Sequence, residues 1–172
     1  MRYLIPVGTV GGLTERSGEN RVSMSGQRGW RLSNVPVPEG HVALLAVAGL
    51  LTVVRPRPIT AKASVRCLGW PLIGSGVALG VWATRTAGRT DLVHPDHVIT
   101  GGPYALSRHP MYVAWTLAYV GTAIAANTKW PLVLTPLLAG YTHREALREE
   151  ERLREEFGAD YEAYQAEVRR YL

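Results

Sequence analysis

Three of the five histidines fall in one short stretch, 91–112, which reads Asp91-Leu-Val-His94-Pro-Asp96-His97-Val98-Ile99-Thr-Gly-Gly102-Pro103-Tyr104-Ala-Leu-Ser-Arg108-His109-Pro110-Met111-Tyr112. Imidazoles at this density suit proton transfer or metal binding. His94-x-x-His97 with Asp91 or Asp96 is a loose arrangement for a metal. No cysteine and no helical His pair supports it, so no metal is expected. Gly101-Gly102-Pro103 must turn the chain sharply, and Pro110 suits the first turn of a following helix. Arg108 and His109 are thus placed at a helix mouth, where free N–H groups and the positive helix end favour an anionic ligand. His41 and His143 are expected to be interfacial residues bonded to backbone.

A second set of candidates lies in 144–157, which reads as a helix ended by Gly158. With Arg144 at the origin of a helical projection, Ala146, Leu153 and Phe157 cluster near ~180–220° and mark a buried face. Glu149 and Glu150 flank that face on either side, whereas Glu151 and Glu155 fall beside Arg148 and Arg152, with which they can pair. The flanking glutamates either serve a ligand or border the face and bond to Arg108 or Arg154. A further short helix follows, with Asp160 as its expected cap and Tyr161, Tyr164, Val168 and Tyr171 on one side. It is expected to lie on a membrane surface or over the preceding loop.

The elements that must hold these residues are defined by where charge is missing. Intervals without Asp, Glu, Lys or Arg give four apolar blocks at 40–54, 67–84, 109–128 and 130–143, of 15, 18, 20 and 14 residues. A bilayer-spanning helix needs about 20 largely apolar residues. Blocks two and three qualify outright. Block one extends through Pro36, Val37 and Pro38, and block four spans if Lys129 and Arg144 snorkel to the two interfaces. A soluble helical bundle is the competing reading. Against it, blocks two and three lack the alternation of half-exposed helices, and Gly74, Gly76 and Gly80 suit close helix contacts in lipid. Trp70 and Trp82 bracket block two as interface anchors would. The expected fold is therefore all-α, a polytopic membrane protein with about four transmembrane helices, a C-terminal helical hairpin and amphipathic cytoplasmic helices. The mean hydropathy of −0.01 averages these blocks with two polar ends and describes neither.

Fourteen of the nineteen basic residues fall on one side of a four-span arrangement, which puts both termini in the cytoplasm. Arg55, Arg57, Lys62 and Arg66 lie on the other side, leaving a re-entrant first block or a reversed orientation open. The single cysteine, Cys67, excludes an internal disulfide. The net charge of +5 is split among tails and loops and forms no stripe with interleaved aromatics, so no nucleic-acid partner is expected. Arginine outnumbers lysine 17 to 2, a bias expected of a G+C-rich, bacterial genome. Residues 1–35 carry no apolar period and read as a mobile tail, with Met24 a candidate start. Residues 36–90 hold the first two spans and 91–172 the core that carries the chemistry.

Gly102-Pro103-Tyr104-x3-Arg108-His109-Pro110-Met111-Tyr112 comes first, then a helical hairpin, then Glu149-Glu150-x2-Leu153-x3-Phe157-Gly158-x2-Tyr161-x2-Tyr164. This order resembles the isoprenylcysteine carboxyl methyltransferase family, which belongs with the phospholipid methyltransferases. The likeness covers roughly 94–172. It implies an integral-membrane enzyme using S-adenosylmethionine in a cytoplasmic pocket closed by the C-terminal helices, with a lipid or lipid-modified substrate arriving from the bilayer. By position Asp96, His97, Val98 and Ile99, with Tyr104 and with His109, Pro110, Met111 and Tyr112, would line the cofactor. Glu149 and Glu150 match the family's acidic pair. The family's substrate-binding arginine has Arg144 and Arg148 as its closest counterparts, so Arg108 and Arg144 are the candidates for catalysis. A carboxylate acceptor, the favoured reading, needs no general base. A phospholipid amine, the alternative acceptor, calls for one, such as His97, His109 or Glu150; a non-catalytic membrane subunit of the same fold is the other alternative. The expected location is the bacterial plasma membrane.

Overall fold

The computed structural model describes residues 39–60, 62–88 and 97–172. The expectations placed on residues 1–35, Met24, Asp91, His94 and Asp96 lie outside the described residues. Six α-helices follow in order: α1 (Glu39–Val54), α2 (Ala63–Cys67), α3 (Gly69–Ala87), α4 (Pro110–Ala125), α5 (Trp130–Phe157) and α6 (Ala159–Glu167). A 3-10 turn, Gly102–Ala105, precedes α4. Among the described residues the regular structure is entirely helical, as the charge-free blocks predict.

α2 and α3 are nearly continuous, and Ala63–Ala87 is long and apolar enough to cross a membrane. Only 17% of its most apolar window is buried inside the protein, whereas the core helix of a soluble bundle is mostly buried. α1 and α4 are apolar but have 16 residues each, a rise of about 24 Å against a hydrocarbon core of about 30 Å. The fourth block and the acidic segment after it form one unbroken 28-residue helix, α5. Pro131 starts that helix at a position where no N–H is missed, and Pro136 lies inside it.

α3 and α4 pack as an antiparallel pair through backbone contact. A Cβ on Gly76 would sit 2.5 Å from the Ala114 carbonyl oxygen, and one on Gly69 would sit 2.6 Å from that of Gly121. Glycine at these crossings lets the backbones meet, which is how helices associate where solvent provides no drive. Of the glycines expected to serve this role, Gly76 does; a Cβ on Gly80 would make only an ordinary contact, 3.8 Å from the Ala114 methyl, and one on Gly74 would meet nothing. Gly69, at the helix start, takes the second crossing instead. α1 lies against α5, where Gly40 faces the ring of Tyr141. His41, buried, is hydrogen-bonded to Thr116 of α4 at 3.2 Å, so its partner is a side chain and not the expected backbone group. The outward faces stay apolar, with Val42, Val53, Trp70, Val77, Trp82, Val133 and Leu137 all exposed. Exposed apolar faces of this kind mark contact with a partner or with a membrane.

Gly158 ends α5 with φ +50° and also occupies the cap position of α6. Asp160 is therefore not the cap: it lies in the first turn of α6, where its charge faces the positive helix end. The surface pairs of α5 also differ from expectation. Glu151 pairs with Arg154, and Arg148 pairs with Glu145 at 2.6 Å. Both are i,i+3 pairs, one step along from those projected. α6 lies over the preceding loop, where the Tyr164 hydroxyl donates to the Tyr104 carbonyl at 2.7 Å.

Candidate active site

The chain enters α4 through a tightly packed corner. Gly102 has φ +57° and lies against the Thr86 side chain, so a residue with a Cβ would be strained there and would collide with the hydroxyl. Ser107, buried, accepts a hydrogen bond from the His109 backbone N–H at 3.2 Å and donates its own hydroxyl to the Arg170 carbonyl at 3.1 Å. The Arg108 N–H donates to the Arg169 carbonyl at 2.9 Å. These two bonds fasten the segment after α6 across the mouth of α4.

Glu150 is the hub of the site and only 2% exposed. Its carboxylate accepts both a fork from Arg170, at 2.8 Å from Nε and 2.8 Å from Nη2, and a bond from His109 Nε2 at 3.1 Å. Gln165 donates to it at 3.3 Å, and Arg108 Nη2 lies 3.4 Å away. A bidentate guanidinium is the strongest partner a carboxylate finds among side chains. Burial by itself would raise the Glu150 pKa. The hydrogen bonds from Arg170 and His109 and the charge of Arg108 outweigh it and hold the carboxyl below its ordinary value. The same fork raises the pKa of Arg170. Glu149, about one-third exposed, places Oε2 3.6 Å from His109 Nδ1. His109 is thus held between the two glutamates.

A cleft opens in front of this hub. His97, Val98, Ile99, Tyr104, Arg108, Glu149, Leu153, Tyr161 and Tyr164 line it. Arg108 Nε is buried there without a hydrogen-bond partner among the described residues. Burial pushes the Tyr161 phenol up to about 12, and it raises Tyr104 and Tyr164 as well. All three are neutral hydrogen-bonding groups near pH 7. The cleft is small, about 60 Å³.

Behind the hub lies a second cavity of different character. It is an apolar groove of about 540 Å³ between α4 and α5, lined by Val113, Leu117, Leu138 and Ala139, by Thr116, Thr135 and Thr142, and by Tyr112, His143, Tyr171 and Leu172 at one end. Thr142 Oγ1 is buried there without a partner among the described residues. The wall between cleft and groove is aromatic. The His109 ring stacks on Tyr112 at 5.5 Å and meets Tyr171 at 6.2 Å, and the Tyr171 hydroxyl is hydrogen-bonded to His143 Nδ1 at 3.3 Å.

Of the candidates named from the sequence, His97, Val98, Ile99, Tyr104, Arg108 and Glu149 share the cleft, with His109 and Glu150 directly behind it. Tyr112 faces the groove. Pro110 is fully buried as the first residue of α4, and Met111, in the same turn, lines neither cavity. Arg144 is exposed on α5, with no hydrogen bond or ion pair among the described residues. Arg170, Gln165 and Ser107 were not foreseen. A glutamate on a buried face requires a cation, and the Arg169-Arg170 pair after the tyrosine helix could have supplied one. No spacing rule connects a partner twenty residues away around a helical corner.

The sequence model for phospholipid methyltransferase matches residues 65–160, more than half of the chain, from within α2 to the first turn of α6. No curated protein and no solved structure matches the chain.

Proposed function

The chain belongs to the phospholipid methyltransferase family, a membrane methyltransferase family, and from that premise we propose that it transfers a methyl group from S-adenosylmethionine to a lipid-like acceptor in the bilayer. We place four membrane passes at α1, at α2 with α3, at α4 and at the first half of α5, with the cleft on the cytoplasmic face of a bacterial plasma membrane. The observation that carries this reading is the adjacency of two unlike cavities. A tyrosine-lined cleft that carries Arg108 and Glu149 and an apolar groove meet at one wall, His109, Tyr112 and Tyr171.

The cleft residues fit the cofactor's chemistry. Arg108 has an unused buried N–H for a carboxylate, Glu149 offers a carboxylate to an ammonium or sulfonium, and Val98, Ile99 and Leu153 give apolar surface for a nucleobase. When bound, S-adenosylmethionine supplies a methyl group already activated on sulfur. The protein's task is then alignment and exclusion of water. Glu150 acts through His109 and Arg108, holding both at the cleft's back wall, and does not itself face the cleft. Arg144, beside His143 on the rim of the groove, is assigned to the acceptor's charged head.

We favour a carboxylate acceptor, which is ionised at pH 7 and needs no base; Arg108 and Arg144 are the cations to orient it. A phospholipid amine is the second reading, favoured by the description of the matching family. It would require a proton acceptor, for which His109, in the wall between the two cavities, is the nearest of the candidates His97, His109 and Glu150.

Methyl-labelled S-adenosylmethionine incubated with the chain in vesicles separates these readings. Label in a farnesylated cysteine supports the carboxylate, and label in phosphatidylethanolamine the amine. Calorimetry on folded protein in detergent is expected to show cofactor binding, weakened at least tenfold in His109→Ala. Absence of binding by the folded wild-type protein refutes the enzyme reading.

A further inference from the structure

The helix ends remote from the cleft carry charge of one sign. Arg55, Arg57, Lys62 and Arg66 in the α1–α3 connection and Lys129 in the α4–α5 turn are all exposed. No Asp or Glu occurs between Glu39 and Asp91, or between Asp96 and Glu145. The described carboxylates are therefore Glu39, at the opposite end of α1, and those of α5 and α6 around the cleft. Among the described residues none of the five cations forms an ion pair.

The two loops that carry them are bound into one unit. Lys129 N–H donates to the Arg57 carbonyl at 2.8 Å, and Ile59 N–H donates to that of Asn127 at 3.3 Å. The Trp130 indole N–H donates to the Arg55 carbonyl at 2.7 Å. Thr52 and Thr128 share a hydroxyl bond at 2.8 Å. Because the accepting groups at 55 and 57 are backbone carbonyls, both guanidinium groups remain available. Among the described residues only two non-glycine residues adopt left-handed backbone, Thr60 with φ +58° and Asn127 with φ +54°, and each lies in one of these loops. Asn127 ends α4 as a left-handed cap, with Thr128 N–H donating to the Ala123 carbonyl at 3.1 Å. Thr60, β-branched, is the strained one, and such strain persists where surrounding structure enforces it and concentrates at functional sites. α1 and α4, each about 24 Å long, are shorter than a hydrocarbon core of about 30 Å. The mismatch draws the headgroup layer down to these loops.

We propose that this end is a binding site for an anionic phospholipid, its phosphate held among the exposed side chains of Arg55, Arg57, Lys62 and Lys129. The site lies at the far end of the helices from the cleft and stands independently of methyl transfer. Basic residues at membrane level attract anionic lipids, and the attraction is short-ranged and salt-sensitive.

The test uses the full chain in nanodiscs of phosphatidylcholine and of an equimolar mixture with phosphatidylglycerol, with bound lipid counted by native mass spectrometry after transfer to detergent. Wild-type protein is expected to retain phosphatidylglycerol over phosphatidylcholine. The variant Arg55→Gln, Arg57→Gln, Lys62→Gln, Lys129→Gln should lose about tenfold of that preference. The pair Arg57→Gln, Lys62→Gln gives an intermediate loss and serves if the fourfold variant fails to fold. Arg85→Gln with Arg152→Gln, on the acidic side, leaves the preference intact. Undiminished preference in the first two variants overturns the proposal, as does an equal loss in the control. Displacement of the lipid by glycerol phosphate at matching concentration would assign the site to a free anion and overturn the lipid.

Discussion

Arg170→Gln tests the hub of the site. Arg170 donates two hydrogen bonds of 2.8 Å to a carboxylate that is 2% exposed. Removing one member of a fully buried pair costs about 3–5 kcal/mol, because a bare charge is left behind. Two features of this site lower that figure. Arg170 is itself about one-third exposed, so solvent already screens part of the attraction. Glu150 also keeps His109, Gln165 and the nearby Arg108 after the change. The expected loss is about 1.5–3 kcal/mol, the range of a charge-assisted hydrogen bond. Arg170→Lys preserves the charge but not the fork and should lose about half as much. Adding Glu150→Gln to Arg170→Gln should cost less than the sum of the two single changes, with a coupling of about 1–3 kcal/mol. Denaturant unfolding followed by helical circular dichroism in detergent measures all four variants. If Arg170→Gln lies within about 0.5 kcal/mol of wild type, or the double change is additive, Glu150 is not held by Arg170 and the hub has been misread.

The depressed Glu150 pKa makes a signed prediction. A carboxyl lowered in the fold contributes stability that is fully present above its ordinary value of 4.5 and is lost as pH falls from there through the folded value. The stability difference between wild type and Glu150→Gln should therefore be flat near neutrality and shrink on acidification below that point; a difference that grows with acid contradicts the assignment. Gly76→Val is expected to cost about 1–3 kcal/mol or more, because the new Cβ must displace the Ala114 carbonyl, while Gly74→Ala, in open space, should be neutral or stabilising. Thermal unfolding of the two variants side by side reads this contrast. Thr142→Val removes a buried hydroxyl that has no partner, and a gain of up to about 1 kcal/mol is expected by the same unfolding measurement.

The helices of this fold are legible in the sequence because charge is so sharply partitioned along it. The first apolar block, 40–54, becomes α1 at Glu39–Val54, and Pro110 and Gly158 mark a helix start and a helix end as their backbone preferences require. The helical projection also separates Glu149 and Glu150 from Glu151 and Glu155, and Glu150 is indeed the buried one. Three features escape such reading. The fourth block runs without a break into the acidic helix, since Arg144 and Glu145 are good helix formers and nothing between them signals a stop. Arg170 reaches Glu150 from across a corner, and Tyr171 fills the gap between two histidines far apart in sequence; both are tertiary facts with no local pattern. The left-handed backbone at Thr60 is equally silent, because no local pattern places a β-branched residue there.

If the proposed lipid-like acceptor occupies the groove between α4 and α5, the groove's length limits how much of that molecule the protein contacts. The helices meet near their shared turn, where the Tyr119 hydroxyl donates to the Pro131 carbonyl at 2.9 Å, and separate toward His109 and His143. The groove between them follows α4 from Tyr112 to Leu117 and α5 from Thr135 to His143, lengths of about 8 and 12 Å. That is shorter than a typical membrane lipid tail, so a bound molecule would leave its distal portion among the surrounding lipids. On that proposal, selection would act on the headgroup and the segment next to it. Molecules sharing that part should serve alike, whatever the length of the tail beyond.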